Sequence, residues 1–183
     1  MSLLVRAATV NDVAPIAASL MANASDHALF LRAPADVLRH LDDFIVVQDA
    51  GRNIVGCAAL HYYRPVCAEI LSVAVVPAAQ KQGVGGLLLR EVIGRARRQG
   101  VTQLWLATAK PHYFTRFGFT PISRFALPVS VLLAKLRQVF VQPVRRWLPA
   151  LFGRFTFMAH GSSIAVQSQH RQSSHGHPAA RSS

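Results

Sequence analysis

Gly83, Gly85 and Gly86 crowd the stretch QKQGVGG, between the apolar run EILSVAVVP, stopped by Pro77, and the helical pattern LLLREVIGRARRQG. Peptide N–H groups in the first turn of a helix lack partners within it, and the helix dipole adds positive potential there. A phosphate can seat on such groups, and glycine removes the Cβ atoms that would hold it away. Lys81 brings a cation to the same turn. The glycines equally suit a tight turn that only relieves backbone strain. Two nucleotide motifs are excluded. A P-loop needs Lys and then Ser or Thr after its last glycine, where Leu87 follows Gly86, and a GxGxxG fingerprint begun at Gly83 needs glycine where Leu88 stands.

The elements that must position this turn follow from apolar periodicity. LLVRAAT reads as a short strand, and VNDVAPIAASLMANA as a helix with Asn11 and Asp12 as oxygen acceptors at its start. PADVLRHLDD begins with Pro34, well placed to open a second helix. FIVVQDAGRNIVGCAALHYY is two strands joined at DAGRN, and CAEILSVAVVP continues them into a meander. After the glycine turn and its helix come the strand LWLATA and a helix and strand in PHYFTRFGFT. The order predicts an α/β (α+β) fold with one mixed sheet and helices packed on it.

Beyond Phe125 the character changes. LPVSVLLAKLRQVF sets Val129, Leu132, Leu133, Leu136, Val139 and Phe140 on one helical stripe, and Pro143 and Pro149 break the next stretch, VQPVRRWLPALFGRFTFM, into short pieces. From His160 onward the chain is polar and low in complexity, so disorder is expected. The expected organisation is a folded domain over 1–125, a basic amphipathic extension over 126–158 and a disordered tail over 159–183.

The pattern Gln80-x-x-Gly83-x-Gly85, shortly after an apolar strand that opens with Ala68-Glu69, resembles the acetyl-coenzyme A signature of the GNAT superfamily of N-acetyltransferases. The order of elements and the FTRFGF segment are similar to that superfamily as well, over about residues 3 to 125. LFLRAPADVLRHLDDFIVVQDAGRNIVGCAALHYY followed by AEILSVAV resembles more narrowly the acetyltransferase domain of N-acetylglutamate synthases, short bacterial forms included. Leu127-Pro128 and GRFTFM near Arg154 match that family loosely, while RQVFVQPVRRWLPALF and the polar tail depart from it.

The resemblance implies a GNAT fold, with a mixed, mostly antiparallel sheet, flanking helices, a C-terminal helical extension and the disordered tail. It also implies roles. Acetyl transfer needs the cofactor held, the amine deprotonated and the developing oxyanion stabilised. The cofactor set is Gln80, Lys81 and the amides of Gln82, Gly83, Val84, Gly85 and Gly86 on the diphosphate. Val73 and Val75 would pair through their main chain with the pantetheine arm, and an amide near Val73 would meet the thioester oxygen. Glu69, the one acid between Asp49 and Glu91, takes the place of the general base. Its other reading is a solvated charge at a strand end. Phe114 stands where many relatives carry the tyrosine that protonates the leaving thiolate, which sets Phe114 beside the cofactor. Tyr113 next to it is then either that acid or an aromatic packed on the channel or core, with solvent giving the proton. Arg32 would clamp a substrate carboxylate, or else lie on the surface before a helix.

The reaction expected is transfer of acetyl from acetyl-coenzyme A to the amine of a small molecule, an amino acid such as glutamate. The alternatives are a GNAT enzyme with another amine and a non-catalytic acyl-coenzyme A binder. The eight histidines show no metal spacing, so no catalytic metal is expected. Cys57 and Cys67 read as buried thiols in strands. All 8 acidic residues lie at or before Glu91 and every charged side chain after it is basic, within a net charge of +12. That asymmetry favours a polyanionic partner. The coenzyme answers to it, whereas no interleaved aromatic and basic motif supports nucleic acid. For residues 129–154 the readings are core or lid packing, then a homodimer contact, then an anionic membrane surface. No run approaches the roughly 18 apolar residues of a membrane span, and a cytoplasmic location is expected.

Overall fold

The structure, a computed structural model, describes residues 2–23, 33–123, 126, 127, 131, 133 and 155–161. Strand β1 (Leu4–Ala7) leads through a short 3-10 turn to helix α1 (Val13–Ala22), and α2 (Pro34–Arg39) precedes the meander β2 (Phe44–Gln48), β3 (Ile54–Arg64) and β4 (Cys67–Val75). Helix α3 (Val84–Arg98), strand β5 (Gln103–Thr108), helix α4 (Pro111–Thr115) and strands β6 (Phe119–Ile122) and β7 (Thr156–His160) complete the chain order. The expected strand, helix and meander order is present.

Local chemistry accounts for the ends of these elements. Asp12 accepts hydrogen bonds from the Thr9 amide at 2.7 Å and the Thr9 hydroxyl at 2.8 Å. It also takes both Arg6 Nη atoms, at 2.7 and 2.9 Å, which ties the end of β1 to the start of α1. The β2–β3 hairpin closes on Asp49, which accepts the Asn53 amide at 2.8 Å, with Arg52 at φ 63° in the turn.

One seven-stranded sheet results, ordered β1-β2-β3-β4-β5-β7-β6. The β4–β5 pair is parallel and the other pairs are antiparallel. The connection through α3 supplies the crossover that a parallel pair needs. On one face α3 buries Val84, Leu88, Val92 and Ala96, spaced by four, together with Leu89 and Ile93. It seats closely at Gly56, where a Cβ would come within 2.9 Å of Val84 Cγ1. The other face carries α1 and α2, whose Ile16, Ala17 and Val37 pack with Phe44, Val46, Cys57 and Ala59. Both cysteines are buried and free, and burial pushes the Cys57 thiol up to about 12.

Strand β7 corrects the sequence reading, which carries the extension through residue 158 and starts a disordered tail at 159. Thr156–His160 instead pairs with β5 (Leu106↔Met158) and β6 (Thr120↔Ala159), and Met158 is fully buried. Its segment is short, and its partners precede the extension, so local pattern alone does not disclose it. Val131 and Leu133 are helical and Val131 is buried against Cys67, Trp105 and Leu127. The rest of the 129–154 stripe and the tail from 162 lie outside the described residues.

Candidate active site

Strand β4 is bent by one residue. Cys57 pairs with Ala74 and Ala59 with Leu71, so Ser72 and Val73 both stand opposite Ala58. This is a β-bulge, and Ser72 adopts φ 54°, the left-handed region, to make it. Pairing of β4 with β5 runs from Cys67↔Gln103 to Glu69↔Trp105 and stops there, while β5 goes on to pair with β7 as far as Thr108↔Thr156. The second half of β4 therefore parts from β5 just past Glu69, leaving the main chain around Val73 and Val75 facing a gap. Their side chains pack on the α3 side of the sheet.

That half-strand ends at the glycine turn. Lys81 at φ 63° and Gly83 at φ 84° reverse the chain, and Gly83 caps α3, its carbonyl accepting the Leu87 amide at 3.0 Å. The space around Gly83 is open, with no atom within 4 Å of where a Cβ would stand. The Gln80 side chain donates to the Val75 carbonyl at 3.2 Å, and Asn23 from the end of α1 donates to the same carbonyl at 3.0 Å. Gln82 donates back to the Ala78 carbonyl at 2.8 Å. Both glutamines thus brace the turn, which leaves its main chain and Lys81 to meet an anion.

Helix α4 covers the turn from the far side. A Cβ on Gly85 would overlap the Tyr113 hydroxyl and lie 3.7 Å from Val75 Cγ2. Phe114, one residue on, points into the core and meets Phe119 edge to face at 6.2 Å. The Arg116 guanidinium lies 4.8 Å over the Tyr113 ring, and Arg90 Nη1 and Phe117 flank Gly86 at 3.4 and 3.6 Å from a Cβ position. Lys81, Arg90 and Arg116 together give the mouth of α3 a basic rim.

Glu69 lies on the opposite face of the sheet, 1% exposed. Tyr63 Oη donates to Glu69 Oε2 at 2.7 Å, and the Tyr63 ring stacks on Trp105, which stacks on Phe157.

A family model described as Acetyltransferase (GNAT) family matches residues 16–119. The chain belongs to the GNAT family. It is similar to an uncharacterized N-acetyltransferase of Chlorobaculum tepidum, 27% identical over 127 residues covering 69% of this chain and 81% of the relative. It is 32% identical to the amino-acid acetyltransferase of Aeromonas salmonicida over 68% of this chain, but spans only 28% of that relative's length. Among solved structures it resembles N-acetylglutamate synthase from Neisseria gonorrhoeae complexed with coenzyme A and N-acetyl-glutamate, with TM-score 0.70, 26% identity and coverage of 87% of this chain and 35% of that one. A Mycobacterium tuberculosis protein in complex with CoA shares the fold, at TM-score 0.71 and 22% identity over 86% of this chain and 98% of that one.

The expected family, fold and acetyltransferase class hold for this GNAT chain, and acetyl-coenzyme A fits it as co-substrate, with open space at Gly83 beside a basic rim at the mouth of α3. Val73, Val75, Gln80 to Gly86 and Tyr113 come together at one end of the sheet, Glu69 lies further along β4, and Phe114 is turned into the core. Arg32 lies outside the described residues. Sequence reasoning passed over Arg90, Arg116, Tyr63 and Trp105. Arg90 carried a signal in helical spacing, since it follows Gly86 by one turn of α3. No three metal-ligating side chains cluster among the described residues, nor is any helix there long and apolar enough to cross a membrane.

Proposed function

We propose that this GNAT protein transfers acetyl from acetyl-coenzyme A to the amine of a small amino acid of the glutamate class. One observation carries the reading: the gap that opens between β4 and β5 just past Glu69 leads along Val73 and Val75 to the glycine mouth of α3. An extended pantetheine arm matches that gap in shape and in its need for main-chain partners. The coenzyme's thioester supplies the activated acetyl group. The amides of Gln82 to Gly86, with Lys81, Arg90 and Arg116, hold the phosphates, and the amide near Val73 faces the thioester oxygen. Glu69, held by the Tyr63 hydroxyl, takes the proton of the ammonium. Tyr113, packed on Gly85 at the mouth of α3, is an aromatic wall of the channel, and solvent gives the departing thiolate its proton. Arg32 clamps the substrate carboxylate.

The amino-acid assignment draws support from the amino-acid acetyltransferase and N-acetylglutamate synthase relatives. Purified full-length protein, given acetyl-coenzyme A and a panel of amino acids and other amines, should release free thiol fastest with glutamate, and Arg32→Ala should raise the Michaelis constant for glutamate. Saturable coenzyme binding without thiol release would end the enzymatic reading. Preference for a non-carboxylate amine would end the glutamate one.

A further inference from the structure

The mechanism leaves unanswered how a proton taken by a side chain as enclosed as Glu69 reaches water. Directly across the β3–β4 ladder, His61 pairs with Glu69 in register. Side chains at such opposed positions share a face and stand in contact distance. His61 is 26% exposed, so it joins the interior to the solvent. Its Nδ1 lies 2.7 Å from Oδ2 of Asp43, itself 19% exposed, at the end of the turn before β2. Its ring meets Tyr63 edge to face at 5.0 Å, and Tyr63 is the residue that donates to Glu69.

On this geometry we propose that His61, oriented by Asp43, carries the substrate-derived proton from Glu69 out to solvent. The inference rests on Glu69 being the base. With Nδ1–H donated to Asp43, the neutral ring presents Nε2 as the accepting nitrogen. The proton leaves the Glu69 carboxyl, through the Tyr63 hydroxyl or one water, and bonds to Nε2. Glu69 regains its negative charge, and the resulting imidazolium lies against the Asp43 carboxylate until Nε2 gives the proton to water or buffer. Among the described residues the titratable and charged groups around His61 are Asp43, Glu69, Tyr63, the His40 ring at 5.9 Å and, behind Asp43, Arg95 of α3, which donates to the Asp42 carbonyl at 2.9 Å. His61 acts through Glu69 and is a positioning residue.

Relay loss differs from structural damage in two readouts. In weak buffer near pH 7, His61→Gln and His61→Ala should each lower kcat for thiol release by about tenfold, less than the loss of a direct base because water bypasses a relay. Their Michaelis constant for acetyl-coenzyme A should not change, and added imidazole should restore turnover in a concentration-dependent way. Asp43→Asn removes the carboxylate that orients the His61 ring, so kcat should fall while the Michaelis constant for acetyl-coenzyme A holds. Turnover within twofold of the parent in both His61 variants, a loss that imidazole leaves untouched, or parental turnover in Asp43→Asn overturns the relay. Glu69→Gln serves as the separate control: parental turnover there would remove the base itself, whereas a large loss there with normal His61 variants would remove only the relay.

Discussion

The Tyr113 hydroxyl packs against the α carbon of Gly85, filling the place a side chain would occupy. The contact joins α4 to the first turn of α3 and makes glycine a steric requirement there, independent of any ligand. Gly85→Ala should therefore force the two helices apart at a cost of about 1–3 kcal/mol. We expect a lower melting temperature and weaker coenzyme A binding by calorimetry. Adding Tyr113→Phe, which removes the clashing oxygen, should recover part of both. A single variant as stable and as tight as the parent would show that the contact yields freely.

How much of this was legible in the sequence depends on range. The glycine turn, the meander and α3 declare themselves through neighbours in the chain, and their apolar spacing gave them directly. Glu69 was visible as an isolated acid, but Tyr63 and His61 were not, because their tie to it depends on the β3–β4 register, which shifts between Tyr62 and Arg64. Tyr113 and Phe114 differ by one helical position, about 100° of rotation, and only packing against Phe119 decides which faces the core. Strand β7 is the extreme case, since its pairing with Trp105 to Thr108 bridges the whole extension.

Ser72 holds the bulge at φ 54°. An L side chain in the left-handed region costs about 1–2 kcal/mol, and β-branching worsens it. Ser72→Gly should stay within about 0.5 kcal/mol of the parent in urea unfolding, since relief of strain is offset by unfolded-state entropy. Ser72→Val should lose about 1–2 kcal/mol and weaken coenzyme A binding, because Val73 and Val75, which face the gap, follow directly on this bulge. Equal behaviour of the two variants would dissociate the bulge from the cofactor gap.

Asp12 offers a pH test of the β1–α1 tie. The Arg6 guanidinium, helped by Thr9, holds its carboxyl down to about 2 from an ordinary 3.8. A depressed carboxyl stabilises the fold above its unfolded value, and that contribution is lost as pH falls through the folded one. Chemical unfolding should thus weaken between about pH 4 and 2, and Asp12→Asn, less stable at pH 7, should flatten that interval. An unchanged slope in the variant would assign the acid sensitivity to other groups.

His160 gives the opposite end of the sheet its own titration. Its ring is buried against Phe119, 5.2 Å between centroids, and Nε2 lies 3.3 Å from where a Cβ on Gly118 would stand. Burial foremost, and repulsion from Arg97 next, hold the imidazole below its usual 6.5, against a raising hydrogen bond with the Phe117 main chain. The unfolded chain then binds the proton first. Stability is complete above about pH 6.5 and falls as the solution is acidified through that value, since the unfolded state gains protons that the fold resists. Melting temperatures should decline from pH 7.5 to 5.5. His160→Gln should lower the plateau by removing the ring from Phe119, yet leave a shallower decline. A variant whose melting temperature falls as steeply as the parent's would show that β7 does not carry the titration.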